Sequence, residues 1–491
     1  MATVTADTAP PDTIGRPGPT MAITSLAAFM VSLDQLVVTT ALPTIRDELH
    51  TDITGVGWVV NAYTLTFAVL LLTAAAVADR FGRRRLFCLG LALFTAASAA
   101  AALSTGIGAL IAARALQGLG AAVVLPLTLT ILSAAFPPRK RGAALGAWGA
   151  VAGLAVACGP VVGGFLTDIA SWQWIFWINV PIGVVLLAFA VRGLTESHGA
   201  SGRLDLVGTA AISLGLLGVV FAIVRGPDEG WASAEVLASG LAGLILIAGF
   251  FAWEARTASP MLPLRLFGNR TFSVVNALSL LMFFGMFGSI FLVTQYLQTV
   301  QGSSPLGAGV KMLSWTGMVL FAAPLGGALS DKIGGRPILL AALGLQSLGL
   351  LWLALFVEAD TSYAALVPAF VCNGIGMGLY FGPTGNIVMG AVPRAEEGIA
   401  SGANNAIREL GGVLGVAVLT SVFAAYGSVD TDQRFADGLV PALWLGTAVV
   451  AAGAVTAALL PGKRAADLAA EAAAAERTAP SAAPAAEHSA V

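Results

Sequence analysis

Charged side chains are scarce in this chain. Asp, Glu, Lys and Arg make up 11% of its 491 residues, where a soluble domain carries roughly 25%. Length alone would suggest a string of soluble domains, but the shortage of charge excludes that, because most of the chain cannot meet water. Histidine is scarcer still. His50, His198 and His488 lie in connections or the tail, which argues against an embedded metalloenzyme, since such a site needs clustered ligands within its apolar segments. The three cysteines, Cys88, Cys158 and Cys372, fall inside apolar runs without metal spacing or a disulfide framework. They read as small buried apolar residues. A net charge of −2 leaves no basic surface for nucleic acid. No glycine loop of the phosphate-cradling kind is evident, so ATP is not the expected energy source, and no cofactor or metal is expected. The Pro- and Thr-rich start lacks the basic region and cleavage site of a secretory signal.

What is present is apolar sequence, with 57% hydrophobic residues and a mean hydropathy of +0.86. A membrane helix needs about 20 such residues. Runs of that kind fall at 21–43, 57–78, 86–105, 107–133, 142–166, 174–191, 206–224, 236–253, 271–299, 306–329, 338–357, 363–391, 397–425 and 439–460. The expected fold is an all-α polytopic membrane protein with fourteen spans. Residues 1–20 and 462–491 are expected to be cytoplasmic tails. With both ends inside, nineteen of the twenty-five Lys and Arg fall in tails or inside connections. Arg46, Arg225 and Arg434 fall outside, and Arg114, Lys311 and Arg408 within spans. Cytoplasmic loops carry such an excess, and moving the count by one span would reverse it. The outside connections are short and no soluble domain is inserted. The work is therefore expected inside the bilayer of the cell membrane.

The inside loop "AVADRFGRRR" (76–85) has a partner at "GGALSDKIGGR" (326–336). Asp79, Arg80, Gly82 and Arg83 correspond to Asp331, Lys332, Gly334 and Arg336. Glycine lets a two- or three-residue turn form. A single copy reads as an ordinary positive-inside loop, whereas two copies after even-numbered spans point to a duplicated transporter architecture. On these residues the chain resembles the major facilitator superfamily, and more narrowly its fourteen-helix drug:proton antiporter family. Ala75 stands where that family usually has glycine, and the second copy keeps Gly327. "LIAARALQGLGAA" (110–122) matches the family's fourth span at Arg114, Gln117 and Gly118. "GAWGAVAGLAVACGPVVGG" (146–164) resembles the antiporter motif at Gly159–Pro160 and Gly163–Gly164, with Ala155 for a usual glycine. "WQWIFWINVPIG" (172–183), "PMLPLRLFGNRTF" (260–272) and "YLQTVQGSSPLGAGV" (296–310) resemble further family segments. The resemblance implies a six-helix bundle over 21–192, two inserted helices over 193–255 and a second six-helix bundle over 256–461. It also implies alternating access, with the two inside loops as conformational latches and the antiporter motif marking an exporter.

Two acids, Asp34 and Glu409, and three bases, Arg114, Lys311 and Arg408, lie within the spans. Intramembrane ionisable residues suggest function. Asp34 sits about nine residues, roughly 14 Å, from the outer end of span one, and Arg114 roughly 10 Å into span four. A pairing, direct or through water, is expected. Burial disfavours a charged acid and a neighbouring arginine favours it, so an acid between the two can take and release a proton. Asp34 reads as a proton carrier, as a partner for a cationic substrate, or as half of a structural polar pair. The family's usual asparagine in this span is replaced by Thr39. Arg408 and Glu409 are adjacent and face different ways. They form a structural set or take part in coupling or substrate binding. Lys311 is near the outer end of span ten and can snorkel.

Span nine, "LMFFGMFGSIFLVTQYLQ" (281–298), mixes pliable apolar residues with a few polar ones. Phe284, Phe287 and Gln295 there, with Asn61, Tyr63, Gln117, Asn373 and Asn404, are the candidate substrate contacts; lipid-facing or core packing is the alternative for each. The expected function is proton-coupled export of hydrophobic or amphipathic small molecules, drugs or antibiotics, by a monomer whose partners are substrate, protons and lipid. The alternatives are transport of a specific metabolite on the same fold and, from another class, a membrane-embedded enzyme.

Overall fold

The computed structural model describes residues 16–136, 138–198, 205–257, 260, 262–392 and 396–462. Among these the secondary structure is helical, with no strand. The chain crosses as α1 (Pro17–Glu48), α2 (Ile53–Phe81), α3 (Arg83–Ala102), α4 (Ile107–Ala135) and α5 (Pro138–Ile169). The short α6 (Trp174–Trp177) leads into α7 (Asn179–Gly193), and the two make the sixth crossing. Next come α8 (Leu206–Glu229), α9 (Ala234–Glu254) and α10 (Arg270–Thr299). A tenth crossing is built from α11 (Pro305–Thr316) and α12 (Met318–Ile333), followed by α13 (Gly335–Phe356), α14 (Tyr363–Gly390), α15 (Glu397–Tyr426) and α16 (Asp432–Ala457). Thirteen of these crossings are long and apolar enough on their described residues. The described apolar stretch of α5 is Ala157–Ile169, but the helix has 32 residues, about 48 Å at the helical rise.

Several helices outrun their apolar runs. Proline suits the first helical position, and Pro17 starts α1 inside the segment expected to be a tail. The rest of the expected tails, 1–15 and 463–491, lies outside the described residues. Arg46 stands in the last turn of α1, Arg225 within α8 and Arg434 at the start of α16, so none of the three is in a connection as expected. A helix pairs its own backbone groups and can continue past the apolar layer. The paired loops are tighter than expected. Gly82 alone separates α2 from α3, at φ +109°, and Gly334 alone separates α12 from α13, at φ +91°. Both angles lie where a side chain is disfavoured. Gly82, Gly334 and the start of α1 mark one face of the bundle, here termed the basic face.

Helices α1–α7 pack mainly among themselves, as do α10–α16, while α9 packs on α8 and α8 lies beside α2 and α15. Trp58 meets Phe221 at 6.3 Å between ring centroids, and the Ser421 hydroxyl donates to the Ile223 carbonyl at 2.5 Å. The two bundles meet toward the face opposite the basic one. There Gln298 Nε2 donates to the Thr40 carbonyl at 2.7 Å, joining α10 to α1. Between α5 and α11 the backbones nearly touch. A Cβ on Gly164 would stand 2.2 Å from the Pro305 carbonyl oxygen, and one on Gly309 2.2 Å from that of Pro160. Only glycine permits such an approach. The antiporter-like residues also seat α5 on α1, because a Cβ on Gly163 would stand 2.2 Å from the Val37 carbonyl oxygen.

Candidate functional site

Asp34 on α1 is 1% exposed, and so is Arg114 on α4. They are in direct contact, with Arg114 Nη1 donating to Asp34 Oδ2 at 2.5 Å. Two amides complete the carboxylate's shell: Gln117 Nε2 donates to Oδ1 at 3.1 Å and Asn179 Nδ2 to the same oxygen at 2.7 Å. Arg114 and Gln117 are three residues apart and share a helix face. They also bond to each other, Nη1 to Oε1, at 2.9 Å. Arg114 Nε donates to the Val59 carbonyl at 3.2 Å, Gln117 Nε2 donates to Ser98 Oγ at 2.7 Å, and the guanidinium lies 4.2 Å from the Tyr63 ring centroid. A buried pair tolerates desolvation only when its remaining donors and acceptors are matched, and this one is matched on nearly every side. Thr39 lies outside the cluster and returns its hydroxyl to the Leu36 carbonyl of its own helix at 2.7 Å.

The next residue, Gln35, turns the other way. Its Nε2 donates at 3.0 Å to Glu409 Oε2 on α15, a hydrogen bond between the two bundles. Arg408 diverges from Glu409. Its Nη1 donates to Asn405 Oδ1 at 3.0 Å, and its guanidinium lies 4.5 Å from the Phe283 centroid and 5.3 Å from that of Phe381. It lines an open cleft of about 100 Å³ between the basic-face halves of α14 and α15. Asn404 also lines the cleft and bonds to Asn276 and Ser279.

The other sequence candidates separate. Tyr63 and Gln117 belong to the ion-pair cluster and do not line the cleft. Phe284 and Phe287 are buried on α10, where the Phe284 backbone lies close to Gly415 of α15 and the Phe287 ring lies against Gly412. Asn373 is buried inside the second bundle, donating to the Ala369 carbonyl and lying against Gly349. Asn61 and Gln295 are buried with amides that have no partner. Lys311 is half-buried near the outer end of α11, and its Nζ donates to Gln301 Oε1 at 2.9 Å and to Ser303 Oγ at 2.7 Å in the connection after α10. At the first loop Arg80 is exposed, Arg83 opens α3, and its amide donates to the Ser197 carbonyl at 2.9 Å. In the second loop Lys332 is exposed in the last turn of α12, and Arg336 stands in the first turn of α13. The side chains of Asp79 and Asp331 lie outside the described residues.

Sequence reasoning missed Asn179, Ser98, Gln35, Asn405 and Glu196. The carboxylate of Glu196 caps α3, accepting from the amides of Arg84 at 2.9 Å and Arg85 at 3.2 Å. Asn179 had a signal, since it is a lone amide in an apolar entry segment. The others had none, because a polar residue beside a charged one on a helix gives no sign of its partner.

Residues 24–416 match the profile of the Major Facilitator Superfamily. The chain is 35% identical over 423 residues to a tetracenomycin C resistance and export protein of Streptomyces glaucescens, covering 85% of this chain and 78% of the relative. It is 38% identical over 417 residues to the multidrug resistance protein Stp of Mycobacterium tuberculosis, covering 84% and 77%. It is 33% identical over 397 residues to a methylenomycin A resistance protein of Bacillus subtilis, covering 81% and 85%. Among solved structures, a bacterial homologue of the lysosomal transporter Spinster, inward-facing and unoccupied, aligns with TM-score 0.64 at 16% identity, covering 90% of this chain and 96% of that one.

Proposed function

The chain belongs to the Major Facilitator Superfamily, a family of transporters and not of enzymes, and on that footing we propose that it exports hydrophobic or amphipathic small molecules, drugs or antibiotics, in exchange for protons. Export is supported by relatives named for resistance and export, and by the close seating of Gly159–Pro160 and Gly163–Gly164 on α1 and α11. The excess of Lys and Arg on the basic face supports a cytoplasmic basic face. Contacts between the bundles lie toward the opposite face, and the cleft lies between basic-face helix halves. The contacts between bundles on the face opposite the basic one support the reading of a carrier open to the cytoplasm.

Proton coupling rests on one observation, the buried Asp34 carboxylate with three donors and one counter-charge. A proton on Asp34 cancels its attraction for Arg114 and removes an acceptor from the cluster. Arg114 keeps the Val59 carbonyl, the Gln117 amide oxygen and the Tyr63 ring. The neutral acid then loosens the grip of α1 on α4 and α7. Helix α1 also carries Gln35 and the Thr40 carbonyl, which contact the second bundle. Protonation on one helix thereby changes the contacts between halves, as alternating access requires. A proton enters from outside, the substrate leaves, and the carboxylate is restored on the cytoplasmic side.

The test is transport in proteoliposomes with an imposed pH gradient, wild type against Asp34→Asn. Gradient-driven transport in the wild type and its loss in the variant are expected. Transport indifferent to the gradient in the wild type would exclude antiport, and unchanged coupling in Asp34→Asn would exclude Asp34 as carrier.

A further inference from the structure

The cleft between α14 and α15 has a chemistry of its own. Of the side chains lining it, Arg408 is the one that carries charge. Glu409 is 8% exposed, is occupied by Gln35 and does not line the cleft. Among the described residues Arg408 makes no ion pair, and its side-chain hydrogen bond is the one to Asn405. Its Nε is buried without an acceptor. A guanidinium offers five N–H donors in a planar fork. This leaves a local excess of donors and of positive charge facing the cleft.

The aromatic setting narrows the partner. Phe283 and Phe381 lie against the guanidinium, and their rings meet edge to face at 6.3 Å. Phe381 lines the cleft beside Tyr380, with ring centroids 5.6 Å apart. Such rings accept a flat aromatic skeleton by offset or edge contacts, and Ser401 and Asn404 on the opposite wall offer polar contacts. An organic cation would meet Arg408 with like charge and find no exposed carboxylate in the cleft.

We propose that this cleft is the substrate subsite and that it takes planar aromatic molecules carrying an acidic group, a carboxylate or an ionised phenol, whose anion is held by Arg408 and whose ring lies against Phe381. The assignment rests on the transporter reading above and supplies its substrate class. A fork-shaped donor set and a two-oxygen anion match bidentately, and bonds of this charged kind are worth about tenfold or more in affinity.

Three probes of similar size separate the outcomes: anthraquinone-2-carboxylate, its methyl ester, and the cation ethidium. Binding is measured on the purified full chain in detergent, and pH-driven uptake in proteoliposomes. The wild type is expected to bind the acid about tenfold more tightly than the ester. Arg408→Gln should erase that preference while leaving ester binding nearly unchanged, and Arg408→Lys, a charge without a fork, should keep part of it. If Arg408→Gln does not fold, Arg408→Lys and Asn405→Ala carry the test through the same acid-to-ester ratio. Equal loss of acid and ester binding would make Arg408 structural and overturn the proposal. So would a wild type that binds acid and ester alike, or that prefers ethidium. Uptake of ethidium driven by the pH gradient without selective acid binding would overturn the substrate class and leave the exporter standing. Selective acid binding with no gradient-driven uptake of any probe would support the subsite and remove the antiport reading.

Discussion

Asp34 and Gln35 are neighbours in the chain, yet their side chains serve opposite halves of the molecule. The carboxylate of Asp34 is gathered into the first bundle by Arg114, Gln117 and Asn179, and the amide of Gln35 reaches Glu409 on α15 of the second. Successive residues on a helix point about 100° apart, so one turn of α1 addresses the ion pair and the seam together.

The ion pair is expected to be asymmetric under mutation. Arg114→Ala leaves a buried carboxylate without its counter-charge, a loss of about 3–5 kcal/mol. Removing both charges together, as Asp34→Asn with Arg114→Gln, should restore much of that stability without restoring coupling. Thermal unfolding of the purified variants in detergent checks this; a double variant no more stable than Arg114→Ala would show that the pair is not compensated as the geometry implies.

Closure of the seam between α5 and α11 should fail when either glycine gains a side chain. A Cβ on Gly164 or Gly309 would lie 2.2 Å from a backbone oxygen of the other bundle, and overpacking costs about 1–3 kcal/mol. Gly164→Val and Gly309→Val should therefore favour the state open on the far face and slow transport. Cysteine accessibility at position 298, in a background without Cys88, Cys158 and Cys372, reads the shift. Labelling no faster than in the parent would contradict it.

The hydrogen bond from Gln35 to Glu409 predicts a measurable coupling between two residues 374 positions apart. A double-mutant cycle with Gln35→Leu and Glu409→Leu should give an interaction energy of about 1–3 kcal/mol in detergent stability. Additive effects would mean that the contact contributes nothing to joining the bundles.

At the first loop, Gly82 has φ +109°, and a Cβ there would stand 2.8 Å from the Glu196 carboxylate. Gly82→Ala is expected to destabilise through both backbone and cap. Glu196→Ala should cost about 0.5–2 kcal/mol by freeing the first amides of α3. Combined, the two should cost less than their sum, because the clash disappears with the carboxylate. Unfolding temperatures of the three variants decide it.

The sequence by itself determined the crossings, the repeated glycine loops and the membership of Asp34 and Arg114 in one layer of the membrane. Those properties are local, since an apolar helix must be about 20 residues long to span a bilayer and its fixed rise converts position into depth. The sequence could not say how far each helix is rotated about its axis. That rotation is set by packing against segments remote in the chain. It brings Asn179 to Asp34 across 145 positions, takes Tyr63 and Gln117 into the ion pair and not the cleft, and lays the Phe287 ring against Gly412 of α15. Depth was legible in the sequence, and direction was decided only where the helices meet.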